Sequence, residues 1–195
     1  MTKINPQRID GPWCEGFVLD IHTISSQPIG FGPSGHTVFD TTYSEIGSLL
    51  YKLKYQQDVS GVPAIIEAAA KFWEPARPSI DLIVPVPASR VRIVQPVDQL
   101  ATGLGAAMNL PVAQCVSTTR PSSSLKDVSD PEKRRELLNG LHAVDAAKTT
   151  GKRILLVDDL YRSGSTMQAI AEVLMGDGRA ASVRAFAITR TRRNR

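Results

Sequence analysis

Ile154-Leu155-Leu156-Val157-Asp158-Asp159-Leu160-Tyr161-Arg162-Ser163-Gly164-Ser165-Thr166 is the stretch from which the rest of the chain can be read. Ile154–Val157 are apolar and mostly branched, with no polar alternation, the pattern of a strand buried on both faces of a parallel sheet. Two carboxylates follow, then a short loop of small hydroxyl residues around Gly164. Met167, Ile170, Ala171 and Leu174 recur at i, i+3, i+4 and i+7, which predicts an amphipathic helix. Gly176 and Gly178 end it.

This order has a chemical sense. Parallel sheets bind ligands outside the carboxyl ends of their strands. The free N–H groups at a helix N-terminus point into that crevice and attract an anion. Gly164 allows close backbone approach to a phosphate, while Ser163, Ser165 and Thr166 supply hydroxyl donors. Asp158 and Asp159 would repel a phosphate, but they match sugar hydroxyls or a hydrated magnesium ion. A phosphate at one end and hydroxyls or metal at the other describes a sugar phosphate.

Plainer readings exist. The acidic pair could end a Walker B strand, but the chain contains no Gly-x-x-x-x-Gly-Lys-Ser/Thr loop. A receiver-type acidic pocket needs an acidic pair on an early strand, and none is present. Asp-Asp alone could also mark an ordinary strand-to-helix turn capped by Asp159 or Ser163. The hydroxyl-Gly-hydroxyl loop and the helix after it favour the anion cradle.

Composition narrows the classes. The 195 residues are 42% hydrophobic and 22% charged, ordinary values for a globular chain. The length suits one domain with a small appended lobe. No apolar run reaches the roughly 18 residues that span a bilayer, and the N-terminal residues lack an apolar signal region. The expected location is therefore cytoplasmic, without a membrane partner. Cys14 and Cys115 show no metal-type spacing and read as ordinary thiols. The net charge of +4 has a local source: residues 190–195 carry four arginines, and the rest of the chain balances at 19 basic and 19 acidic residues. A basic tail can bind nucleic acid, but a solvated terminus is commoner and the body has no broad basic bias, so nucleic acid is not the expected partner.

Along the chain, Phe17–Ile24 and Thr37–Thr41 read as strands of an antiparallel hairpin, and His22 and His36 beside its loop read as solvated or capping. Residues 1–43 would form this hairpin or cap, and residues 44–195 an α/β core. A helix from near Ser44 carries Ile46, Leu49, Leu50 and Leu53; a second carries Val62, Ile65, Ile66, Ala69, Phe72 and Trp73 and stops at Pro75. Ile80–Pro85 is a strand, Pro96 opens a helix, and Pro111–Val116 and Val183–Ile188 are further strands. Alternating strands and helices from residue 80 onward predict a parallel α/β sheet flanked by helices.

Two further stretches could meet an anion. Between Pro87 and Arg92, Ala88 and Ser89 offer backbone amides, and Arg90 and Arg92 offer guanidinium groups, directly after a strand. The alternative is a Pro-stiffened turn with two surface arginines. Residues 118–136 interleave Arg120, Lys126, Lys133, Arg134 and Arg135 with acids. They read equally as a mobile cationic lid or as a solvated loop entering a short helix.

The central stretch resembles the diphosphosugar signature of type I phosphoribosyltransferases, which have a Rossmann-like fold. It matches at Asp158, Asp159, Gly164 and Thr166 and departs at Arg162 and Ser163, where paired threonines are usual. Within that class the wider pattern, over roughly residues 46–191, resembles the ComF (competence protein F) family. The matching pieces are Leu53-Lys54-Tyr55, Val84-Pro85-Val86-Pro87, Gln95, Leu100-Ala101, Arg120 and Ser122, Ser129-Asp130-Pro131-Glu132-Lys133, and Gly151-Lys152-Arg153. It departs at Leu125 and Glu136, where the family has glutamine and asparagine, and at Val91-Arg92-Ile93-Val94, where it has Arg-Gly-Phe-Asn. The cysteine-rich zinc segment typical of ComF does not occur in these residues.

The resemblance implies an enzyme of nucleotide metabolism that uses phosphoribosyl diphosphate (PRPP) and Mg2+, releases pyrophosphate and loads a nitrogenous acceptor of unknown identity. Asp158 and Asp159 would hold the ribose hydroxyls and, through water, the metal. Leu160, Tyr161, Arg162, Ser163, Gly164, Ser165 and Thr166 would form the 5-phosphate loop. Ala88, Ser89, Arg90, Arg92 and Lys126 would receive the pyrophosphate. A non-catalytic PRPP sensor and a DNA-uptake accessory are the alternatives, and a homodimer stays open.

Overall fold

The structure, a computed structural model, describes residues 2–88, 93–119 and 140–192. A five-stranded sheet organises them. Its strands are β1 (Gln7–Arg8), β2 (Glu15–Ile21), β5 (Leu82–Pro85), β8 (Arg153–Tyr161) and β9 (Ser182–Arg190), in the order β1-β2-β9-β8-β5. All neighbours run parallel except β1 and β2. The parallel sheet expected from the central stretch is present.

Strand β8 is buried on both faces because alternate side chains enter different cores. Leu155 and Val157 join Leu19, Phe186 and Ile188 under the helices α1 (Glu45–Tyr51), α2 (Val62–Trp73) and α3 (Pro96–Met108). Ile154 and Leu156 join Val183, Ala185 and Ala187 under α5 (Ser165–Met175), which follows the short α4 (Ala146–Thr149). The predicted stripe of Met167, Ile170, Ala171 and Leu174 is buried. Ser44 caps α1 through its hydroxyl, which accepts the Gly47 N–H at 3.0 Å. Pro96 opens α3 as expected. In place of a continuous strand over Pro111–Val116, Val112 bridges Ile83 at the sheet edge, and Val116–Thr118 (β6) pairs with His142–Val144 (β7).

The antiparallel hairpin is β3 (Thr23–Phe31) with β4 (Thr37–Tyr43), and Thr23 pairs with Tyr43 at its base. Its first arm begins later than the sequence suggests, since Phe17–Ile21 lies within β2 and pairs with β9. Val18 and Leu19 are fully buried; an uninterrupted apolar run suits a strand covered on both sides better than a hairpin arm. The polar alternation of a solvated strand starts only after His22.

At the opposite end from the acidic pair, Arg153 clamps β8 to β5. Its Nε donates to Asp81 Oδ2 at 2.9 Å and its Nη2 to Oδ1 at 2.6 Å, and its backbone N–H also donates to Oδ2. These bonds, the side-chain ones first, hold the Asp81 carboxyl well below the usual carboxylate range. A depressed pKa gives stability that is present above about pH 4 and lost as acid protonates the folded carboxylate. The urea midpoint is therefore expected to fall between about pH 5 and pH 3, and Asp81→Asn to flatten that fall. An equally steep fall in the variant would count against the clamp.

Candidate active site

The carboxyl ends of β2, β5, β8 and β9 meet at one edge, and β8 brings both acids there. Val157 is level with Pro85 of β5, and Asp158 with Ala187 of β9. The Val86 N–H donates to the Val157 carbonyl at 2.8 Å, so the loop leaving β5 starts beside Asp158. Successive strand residues face opposite sides, and this separates the two carboxylates.

Asp159 is buried on the α1 side, where Lys54 Nζ lies 2.8 Å from both of its carboxylate oxygens. Lys54 reaches it because α1 continues into a wider π-helical turn, Lys52–Gln56, closed by Gln57 in the left-handed region. Asp158 is half-buried, and its Oδ1 accepts the Asp159 N–H at 2.7 Å. Burial, and then the neighbouring Asp159 charge, push the Asp158 carboxyl up to about 7. Asp159 is thus paired with a lysine, while Asp158 is poised to hold a proton near neutrality.

His22 lies beside the ion pair at the end of β2. It is buried, with Nδ1 3.1 Å from the Thr189 hydroxyl. Burial and the Lys54 charge keep its pKa below the ordinary histidine value, against a smaller pull from Asp159. The solvated or capping role expected for His22 therefore does not describe it.

The other end of the site is the turn into α5. Strand β8 runs on through Leu160 and Tyr161, which pair with Thr189 and Arg190, so these two frame the loop rather than form it. The loop proper is Arg162, Ser163 and Gly164, followed by the exposed N–H groups of the first turn of α5. Gly164 sits at φ 80°, where a side chain is strained, and a Cβ there would run into the Tyr161 hydroxyl. Ser163 and Ser165 hydroxyls lie 2.9 Å apart over the turn. Arg162 is exposed at its mouth, and the Arg190 guanidinium carbon lies 6.0 Å from the centre of the Tyr161 ring.

Of the pyrophosphate residues expected from the sequence, Ala88 is exposed just beyond β5. Ser89, Arg90, Arg92 and Lys126 lie outside the described residues, as does most of the 118–136 segment. The sequence reading passed over Lys54 and His22 as site residues. The triplet Leu53-Lys54-Tyr55 was a signal for the first, but nothing local shows a lysine reaching an acid 105 positions away.

A family model, the phosphoribosyl transferase domain, matches residues 60–195. The chain belongs to this family. It therefore falls among the phosphoribosyltransferase enzymes, and the acidic strand and the Gly164 turn lie inside the matched residues. His22, Lys54 and the β3–β4 hairpin precede residue 60, so the phosphoribosyl transferase model does not extend to them.

One solved structure supports the same fold, and two others are similar at lower scores. The chain resembles the Bacillus subtilis glutamine phosphoribosylpyrophosphate amidotransferase with a TM-score of 0.51 and 15% identity, over 80% of this chain and 34% of that one. Adenine phosphoribosyltransferase from Saccharomyces cerevisiae gives a TM-score of 0.48 and 14% identity, over 86% of this chain and 84% of that one. An allosteric regulatory enzyme of purine biosynthesis gives 0.44 and 18%, over 76% of this chain and only 27% of that one. No curated protein matches the chain in sequence. Among the described residues no helix is long and apolar enough to cross a membrane.

Proposed function

We propose that this chain transfers the 5-phosphoribosyl group of PRPP to a nitrogen acceptor. The observation that carries the reading is the spacing on one strand end. An acidic pair, one member bound to Lys54 and one titrating near neutrality, is followed five residues after Asp159 by a left-handed Gly164 turn at a helix N-terminus. That turn suits the 5-phosphate, and the acids suit the ribose hydroxyls between it and the loop after β5.

In this reading the acceptor nitrogen's lone pair forms a bond to C1 of the ribose as the C1–O bond to pyrophosphate breaks. Pyrophosphate leaves with that electron pair, and the acceptor's N–H proton passes to water. Positive charge develops on the ring, so the protein's part is positional and electrostatic. The loop amides hold the 5-phosphate, and the Asp158–Asp159 end supplies negative potential beneath the sugar. Arg90, Arg92 and Lys126 are proposed to take the pyrophosphate.

The donor set suits a hydrated metal rather than a directly bound one. Among the described residues no group of three or more His, Cys, Asp or Glu comes together, and Asp159 is already paired with Lys54. Asp158 and Asp159 would hold magnesium through its waters and the ribose hydroxyls, and the bound ion would neutralise charge on the leaving pyrophosphate. The ComF-like resemblance supports placing the chain in that branch. A non-catalytic PRPP sensor is the second reading, favoured by the lysine already seated on Asp159.

PRPP with magnesium at about 100 times its Kd is expected to stabilise the protein by about 2.7 kcal/mol. That is a rise in Tm of several degrees for a chain this size. Gly164→Val removes most of the rise because the turn can no longer close on phosphate. An unchanged Tm in the wild type would overturn the assignment. Pyrophosphate release with an acceptor separates enzyme from sensor.

A further inference from the structure

We propose that Lys54 is the resident cation of this site: it fills the seat on Asp159 that a free divalent metal would take, so metal enters only with the diphosphate of the donor. The inference rests on the PRPP reading for the identity of that donor, and adds what the chain itself does to the metal. Geometry carries it. Lys54 Nζ lies 2.8 Å from Asp159 Oδ1 and 2.8 Å from Oδ2, so the ammonium sits astride the carboxylate, in its bidentate position. A carboxylate offers about four lone-pair directions. The ammonium takes the two that converge between the oxygens and leaves the outer ones for hydroxyl donors.

Burial argues against an ordinary ion pair. Among the described residues, Lys148–Asp145, Arg153–Asp81 and Arg184–Glu15 each leave at least one side chain more than a third exposed, whereas both members of Lys54–Asp159 are buried. A buried pair adds little net stability, because desolvation offsets the attraction. Fold stability alone therefore does not account for a lysine placed here. The local backbone is shaped to deliver it. The regular winding of α1 gives way to the π-helical turn Lys52–Gln56, which Gln57 closes in the left-handed region. Leu53 is buried in the core with Leu50 and fixes the backbone from which Lys54 reaches out. Such turns concentrate at functional sites.

The consequence is an order of binding. Asp159 meets a cation that is already in place and tethered, and needs none from solution. Asp158 has no lysine or arginine in ion-pair contact among the described residues, so it is the one carboxylate of the pair open to a metal. One carboxylate is too few to hold magnesium by itself, and substrate phosphates complete such shells. The site without donor is therefore closed to metal by its own lysine.

The test adds Mn2+ alone, without PRPP, to the whole chain in mildly alkaline buffer and follows free Mn2+ by electron spin resonance. Lys54→Met and Lys54→Gln are expected to bind it about tenfold to a hundredfold tighter than the wild type, the usual size of such a coupling. Glutamine keeps an N–H that can donate to Asp159, which preserves the fold if methionine does not. Lys54→Arg should stay as weak as the wild type. The gain should disappear when Asp159→Asn is added to Lys54→Gln. Equal affinity in the wild type and both neutral variants, or a gain that survives Asp159→Asn, would overturn the proposal. A second readout uses the unaltered chain. Acetic anhydride should label Lys54 far more slowly than the exposed Lys148, and millimolar Mg2+ alone should leave that rate unchanged. Faster labelling with Mg2+ would mean that metal displaces the lysine, which overturns the proposal as well. Failure of PRPP with magnesium to raise the Tm, with the Mn2+ difference intact, would instead sink the PRPP reading and leave Lys54 as the cation that guards Asp159.

Discussion

Asp158→Asn is expected to abolish most turnover and, at pH 8 in metal-free buffer, to make the protein more stable. Both effects have one cause. The Asp158 carboxyl is pushed up to about 7 by burial and by Asp159, whereas in the unfolded chain it titrates near 3.9. Between those two values the folded protein holds the proton more tightly than the unfolded one. Stability is therefore complete below about pH 4 and is lost as pH rises through 7. Asparagine keeps the shape, and its Oδ1 can accept the Asp159 N–H as Asp158 does, but it carries no charge to bury. A gain of about 1–3 kcal/mol at pH 8 is expected, or about 2–10 °C in Tm. The gain should vanish at pH 4. Turnover, measured as pyrophosphate release, should fall by about 10²–10³ because negative potential under the ribose is lost in the transition state. Equal stability of variant and wild type at pH 8 would mean that Asp158 is not held near neutrality.

Local pattern carried the centre of the molecule. Ile154–Val157, the stripe of Met167, Ile170, Ala171 and Leu174, the helix starting near Ser44 and the helix start at Pro96 are all set by neighbours in sequence, and all stand as read. The misses are non-local. Strand β8 continues through Leu160 and Tyr161 because β9 runs alongside it, and no periodicity in residues 154–161 announces that partner. Phe17–Ile21 joins β9 rather than a hairpin for the same reason. The order of acidic pair, Gly164 turn and helix was legible because these parts follow one another along one strand and one turn. The α1 side was not: Lys54 comes from a distant segment and meets Asp159, with His22 beside the pair, only through the tertiary fold.

Lys54→Met gives the largest expected loss of stability, and the loss should depend on pH. Lys54 and Asp159 have side chains only 13% and 10% exposed, and the ammonium contacts both carboxylate oxygens. Removing one partner of a buried pair commonly costs about 3–5 kcal/mol, since the other charge stays behind without compensation. Methionine keeps much of the lysine stem's packing, so the loss reports on the charge. Without the ammonium, Asp159 sits beside Asp158 with no counter-ion and its folded pKa rises above the unfolded value. A raised carboxyl pKa gives stability that is present at low pH and lost as pH climbs. The gap between wild type and variant should therefore be large at pH 8 and shrink towards pH 5, as followed by urea midpoints. Adding Asp159→Asn to the variant should recover most of the loss, which a purely steric effect of methionine would not allow. A gap that is independent of pH, or no recovery in the double variant, would show that Lys54 packs against the site without setting its charge. Recovery would mean that the lysine offsets the Asp159 carboxylate on the helix side and leaves Asp158 as the carboxyl that answers to ligand and pH.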